Sequence, residues 1–184
     1  MNSHIFPAIK LSLLCLVLFS IIYPLSVWAV AQMAPNRGRG EIVNSKERTV
    51  GFAKIGQSFT ADHYFNSRPS AVSYNASNSG SSNKGNTNID YLKDVQTRID
   101  TFMVHNPSIA KSQIPSELVT ASASGLDPDL SLQGAMVQIP RIAKIRNISS
   151  QKLIDLVNKN IQKRLVGPST INILELNMAL DNLN

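Results

Sequence analysis

Between Lys10 and Arg37 the chain carries no charged residue. From Leu11 to Ala34 it reads LSLLCLVLFSIIYPLSVWAVAQMA. A helix needs about 20 such residues to cross a hydrocarbon core about 30 Å thick, so the stretch predicts a transmembrane helix over 11–34. Residues 1–10 form a short tail before it. Trp28 suits the interfacial belt. Pro24 predicts a kink, because it lacks an N–H and crowds the carbonyl four residues back. Cys15 lies inside the stretch as a small buried hydrophobe. The competing reading is a cleaved signal peptide, for which Ala29-Val30-Ala31 offers a small-residue cleavage pattern. The apolar run is well over the roughly 7–15 residues of a usual signal core, which favours a retained anchor. Orientation stays open on charge alone: Lys10 precedes the helix, whereas Arg37, Arg39, Lys46 and Arg48 follow it. That count is weak for long domains, which translocate largely regardless of charge.

The other 150 residues or so are enough for one domain. Residues 35–50 read as a polar neck with a short strand at Glu41–Asn44. Residues 51–184 read as a soluble α+β domain, rich in helix with a small sheet. A strand candidate starts at Val50 and ends at Gly56. Asn and Ser then fill 13 of the 23 positions from Asn66 to Asn88, which is loop chemistry. A helix follows until Pro107. Ile89, Leu92, Ile99, Phe102 and Met103 share one face of it, and the reading is that this face packs into the core. Ser131 caps a helix over Leu132–Ile139. Pro140 starts a second helical piece through Arg146, and Ser149 or Ser150 caps a third through Asn160 with Leu153, Leu156 and Val157 inward. Gly167-Pro168 turns the chain into an alternating strand candidate, Ile171–Leu176, and Asn177–Leu183 closes as a short helix.

Several chemistries are excluded. A net charge of +6, scattered without a block of like charges, gives no footprint for nucleic acid. One cysteine supports neither a disulfide framework nor a multi-cysteine metal site. His63 beside Asp62 has no serine elbow to serve. Asp127 and Asp129 resemble the start of a calcium loop, but Leu132 and Gln138 stand at its glycine and glutamate positions. There is no P-loop, and Gly38-Arg39-Gly40 lacks the remainder of a dinucleotide fingerprint. No metal or prosthetic group and no catalytic residue is expected.

Five collinear motifs carry a resemblance: Ile55–Phe59 (IGQSF), Tyr64–Ala71 (YFNSRPSA), Leu118–Asp129 (LVTASASGLDPD), Gln138–Lys144 (QIPRIAK) and Asn172–Asp181 (NILELNMALD). In this order, behind one N-terminal apolar helix, they resemble the C subunits of the bacterial Kdp potassium-transporting ATPase. The resemblance implies a single-pass protein of the bacterial inner membrane, its soluble domain extracytoplasmic and without hydrolytic activity of its own. The implied partners are a potassium-binding channel-like subunit, an ATP-hydrolysing P-type subunit and a small stabilising subunit. The family is described as a catalytic chaperone raising the ATP affinity of the hydrolysing subunit, so ATP is implied as a ligand through that partner.

By the same resemblance Gln138 is the proposed nucleotide contact and Gln133 a second candidate. Arg141 and Lys144 add positive charge within one turn. The plainer reading of Gln138, a buried amide bonded to backbone near Pro140, ranks slightly ahead. Tyr64, Phe65, Arg68, Asn83 and Asn88 are the candidate partner contacts. The loop around Ser81 departs from the family's usual pattern, lacking its second glycine and adding Lys84. ATP is cytosolic, so an outer domain could act on its affinity only indirectly, through a coupling free energy. The alternative outside this family is a signal-anchored extracytoplasmic binding module unrelated to ATP.

Overall fold

The computed structural model describes residues 4–45 and 48–183. The chain divides into two compact units, Met1–Glu41 and Ile42–Asn184.

The first unit is one apolar helical rod, Ile5–Ala31, long and apolar enough to cross a membrane. It begins before the uncharged stretch, so Phe6, Ile9 and Lys10 lie on the helix rather than in a preceding tail. Two α-helical pieces, α1 (Ile5–Val17) and α2 (Tyr23–Ala31), flank one wide π-turn, Leu18–Ile22. There the Tyr23 N–H bonds the Leu18 carbonyl, five residues back. Pro24 stands immediately after this turn, and the widening is where the helix absorbs the proline's missing donor and its ring. Ser26 Oγ donates to the Ile22 carbonyl at 2.7 Å. Asn36 and Arg37, both at positive φ, turn the chain after the rod.

The second unit opens on a hairpin, β1 (Ile42–Ser45) antiparallel to β2 (Arg48–Phe52), with an irregularity between Val43 and Asn44. Part of the expected neck is therefore structured. The next turn brings Gly56 against the 126–127 backbone. Its N–H donates to Leu126 O at 2.7 Å, and a Cβ there would stand 2.4 Å from Asp127 O. Only glycine fits that approach. Residues 66–88 form a long irregular segment with one 3₁₀ turn, Ala76–Asn78.

The first long helix of this unit is α3 (Ile89–His105), capped by Asn88 Oδ1 accepting from the Tyr91 N–H at 3.0 Å. A two-stranded antiparallel pair, β3 (Asp129–Leu130) with β4 (Ile171–Asn172), brackets the helices α4 (Leu132–Met136), α5 (Ile139–Arg146) and α6 (Ser150–Lys159). Ser131 and Ser149 cap α4 and α6 through their hydroxyls. Pro140 sits in the first turn of α5 and separates it from α4, where its absent N–H costs nothing.

The strand candidate Ile171–Leu176 is strand for only two residues. Asn172 Oδ1 accepts from the Glu175 N–H at 3.1 Å, and this cap starts α7 (Ile173–Asp181). Ile173, Leu176 and Leu180 recur at helical spacing and are all buried; the short alternation concealed that longer period. With Leu130, Ile139, Ile142, Leu153, Val157 and Phe65 they make the core.

The expected core face of α3 packs only in part: Phe102 lies against the core, Ile99 is half-buried, and Arg98 donates to the Val119 carbonyl at 3.2 Å. No residue of that helix is buried. Ile89 is 71% exposed, Leu92 51% and Met103 37%, with Val104 at 78%. Periodicity shows that a helix has an apolar face, not that its own chain supplies the cover.

Candidate functional site

The most constructed polar site lies where α5 and α7 meet the segment after Ala61. On α7, Asn177 interrupts an apolar face and is 2% exposed. Its Oδ1 accepts from the Phe65 N–H at 2.9 Å, and its Nδ2 donates to the Phe65 carbonyl at 3.0 Å. One residue along, Gln138 repeats the arrangement. Its Oε1 accepts from the Asn66 N–H at 2.7 Å, and its Nε2 donates to the Asn66 carbonyl at 3.3 Å. Two side-chain amides thus grip consecutive peptide units, as a neighbouring β-strand would. The grip satisfies backbone groups that would otherwise cost about 1–3 kcal/mol each when buried.

Gln138 has two further partners. Nε2 donates to Gly134 O at 3.0 Å, and Oε1 accepts from Arg141 at 2.7 Å. An amide offers two donor hydrogens and two acceptor positions; all four are engaged, and the side chain has no exposed surface.

Arg141 is the hub beside it, 6% exposed. Nε donates to Asn106 Oδ1 at 3.1 Å, and a terminal nitrogen donates to the Asp62 carbonyl at 2.5 Å. The Asp62 carboxylate lies 3.6 Å away and meets His105 Nδ1 at 2.8 Å. Burial pulls the Arg141 pKa down, and the Asp62 charge opposes that shift. Arg141 therefore ties the end of α3, the 62–66 segment and α5 into one network. A cleft of about 730 Å³ opens beside it, lined by Asp62, His105, Pro107, Lys144 and Ile145 among others.

Of the sequence candidates, Gln138 and Arg141 are brought together and buried. Lys144 is exposed on α5, lining the cleft. Gln133 is exposed on α4. Phe65 is a core residue with no exposed surface, not a surface contact.

Tyr64 is half-buried. Its hydroxyl donates to Asp181 Oδ2 at 2.8 Å, and Arg146 lies over its ring at 5.0 Å while bonding Asp181 Oδ1 at 2.6 Å. The hydrogen bond to Asp181, then burial and the negative charge, push its phenol above the usual tyrosine value. Arg68 pairs with Asp127 at 2.6 Å, and its carbonyl accepts from the Tyr74 hydroxyl. Asn83 is exposed and accepts from Ser81 Oγ at 2.7 Å; Asn88 is the cap of α3.

Asn106 escaped sequence reasoning, Asn177 entered only as part of a motif, and Asp62, set beside His63 in the sequence, pairs with His105 instead. For Asn177 a signal existed: one amide between Ile173, Leu176 and Leu180 on an inward face has to find partners. Among the described residues no three His, Cys, Asp or Glu side chains cluster as metal ligands would.

The chain resembles known proteins along nearly its whole length. The family model described as "KdpC: K+-transporting ATPase, c chain" matches residues 5–182. The potassium-transporting ATPase KdpC subunit of Flavobacterium psychrophilum is 51% identical over 181 residues, covering 98% of each chain. That of Flavobacterium johnsoniae is 50% identical over 180 residues, again 98% of each. The same-named subunit of Bacteroides fragilis is 45% identical over 182 residues, covering 96% of this chain and 95% of its own. The chain belongs to the KdpC family, the c chains of the K+-transporting ATPase.

Proposed function

We propose that the chain is a non-catalytic accessory subunit that assembles and stabilises an ATP-driven potassium uptake pump. The rod Ile5–Ala31 anchors it in the membrane, and the second unit docks on companion subunits outside the cytoplasm. The observation that carries this reading is α3, a seventeen-residue helix whose apolar stripe packs against the core at Phe102 but stays exposed at Ile89, Leu92 and Met103. An amphipathic helix gains most of its stability from a covered face, and companion subunits supply the cover. The companions are the channel-like, ATP-hydrolysing and small stabilising subunits that the resemblance implies.

The chaperone role, raising the ATP affinity of the hydrolysing subunit, belongs to the same proposal as an indirect effect. Gln138 spends all four hydrogen-bonding positions inside the domain, and Arg141 is buried in the same network. ATP affinity is then altered through a coupling free energy transmitted by the complex, not by an amide touching nucleotide.

The test is co-expression of the full chain with the other polypeptides of the ATPase, followed by tagged purification in mild detergent. An Ile89→Asp, Leu92→Asp variant should fold normally yet lose its companions. Retention of all companions would remove the docking role of α3. A cysteine placed at Ser79 should react with an impermeant reagent in intact cells; reaction only after permeabilisation would put the domain on the other face.

A further inference from the structure

The rod Ile5–Ala31 ends in a turn that bends back on it. Asn36, Arg37 and Gly38 take positive φ, at 57°, 53° and 72°. Gly38 stands against the last residue of the rod, where an added Cβ would lie 3.1 Å from Ala31 Cβ. The Arg37 N–H donates to Ala34 O and the Arg39 N–H to Asn36 O, each at 3.0 Å. Arg37 and Arg39 are thereby held at the end of the rod, both exposed.

The backbone here has a second property. Gly38, Arg39 and Gly40 alternate in hand, at φ +72°, −79° and +86°. Such alternation turns successive N–H groups toward one side and makes an anion-binding concavity. Both left-handed places are glycine, which takes them without strain. Among the described residues the Gly40 N–H has no backbone acceptor. The flanking guanidinium groups are planar forks that match phosphate oxygens. Glu41 is the one acid between residues 32 and 41, so the segment carries a single net positive charge. That charge suits a phosphodiester monoanion.

Position indicates where the phosphate comes from. The 27 residues of the rod rise about 40 Å as a helix. A hydrocarbon core is about 30 Å thick, and a bilayer with its headgroups about 40–45 Å. A rod centred on the hydrocarbon delivers the turn to the headgroup layer. The rod itself does the anchoring, so two arginines need only choose among lipids already beside them, at high effective concentration. This also accounts for cations that follow the helix on the face proposed to lie outside.

We infer that the 37–40 turn is a binding site for the phosphate of an anionic phospholipid, held by the backbone concavity and the Arg37 and Arg39 guanidinium groups. The inference rests on the rod crossing the bilayer, as the proposed function has it, and on no companion subunit.

The test uses the full chain in phosphatidylcholine vesicles that hold a minor fraction of brominated phosphatidylglycerol or, in parallel, of brominated phosphatidylcholine. Trp28, the single tryptophan, lies near the end of the rod and reports quenching. Phosphatidylglycerol should quench more strongly, with a relative association on the order of tenfold or more, since each cation near an anionic headgroup contributes about fivefold. Arg37→Gln with Arg39→Gln should bring the two lipids to parity with the melting temperature unchanged. Gly40→Pro removes the N–H and the left-handed φ together, and should lower the preference with both arginines in place.

Equal quenching in the unsubstituted chain, or a preference that survives either substitution, would overturn the site. A preference removed by inorganic phosphate but not by chloride of equal ionic strength would assign the turn to a soluble anion and overturn the lipid. Absence of quenching by both brominated lipids would overturn the membrane anchor, and this inference with it.

Discussion

The Gln138–Asn177 clamp and the α3 face invert each other. In the clamp, polar residues are buried: Gln138, Asn177, Asn106 and Arg141 all lie inside, with the partners that make such burial tolerable. At Ile89 and Leu92 on α3, and at Leu165 and Val166 before β4, apolar residues stand in water. Residue type alone would have assigned both regions wrongly. The contrast separates what the chain finishes for itself from what it leaves for others. A buried amide whose every bond is made inside the domain has nothing left to offer a ligand, whereas exposed aliphatics on a helix packed through its other apolar residues leave surface free for a partner to cover.

The largest expected effect breaks the comparison at its exposed side. Ile89→Asp with Leu92→Asp should abolish co-purification of companion subunits while leaving the melting temperature within a few degrees, since neither side chain is buried. On the buried side, Gln138→Leu leaves the Asn66 peptide, Gly134 O and one arm of Arg141 without partners. It should cost about 3–5 kcal/mol of unfolding free energy, from several unsatisfied groups at once. Asn177→Leu exposes the same logic at Phe65 and should cost about 2–4 kcal/mol. Denaturant unfolding followed by circular dichroism reads both.

Smaller effects sharpen the boundary. Asn88→Ala removes the α3 cap and should cost about 1 kcal/mol. It should not release companions if Asn88 serves only as a cap. Tyr64 and Tyr74 both have phenols held above the usual tyrosine value, Tyr64 first by its bond to Asp181 and Tyr74 first by burial. The fold favours their protonated forms, so the stability they contribute is complete below the unfolded value of about 10 and falls as pH rises through the folded values. A Tyr64→Phe, Tyr74→Phe variant should lose the upper part of the tyrosinate absorbance titration. Loss of amplitude from the ordinary tyrosine range instead would place both phenols in ordinary surroundings.

Local signals were legible where one residue decides a local geometry. Ser131 and Ser149 as caps, Pro140 as a helix start and the Leu153–Leu156–Val157 face could all be read from the sequence. Pro24 announced the irregularity in the apolar rod, though not that a π-turn would absorb it. The reading failed where the deciding partner is distant along the chain. Asn172 caps α7 and also donates to Ala53 O at 2.6 Å, a contact no local window contains, and the helix it starts had the look of a strand. The clamp joins residue 65 to 177 and 66 to 138, so Phe65 passed for a surface contact and Gln138 kept a ligand role open. The α3 stripe was legible as amphipathic; which part of it is covered, Phe102 but not Ile89 or Leu92, depends on the whole domain.

Hydrogen exchange on the chain alone and in the assembled ATPase tests the division most directly. The Phe65 and Asn66 amides should be protected equally in both, while 89–105 should gain protection on assembly. Unaltered exchange in that helix, or clamp amides that become protected only in the complex, would contradict the account.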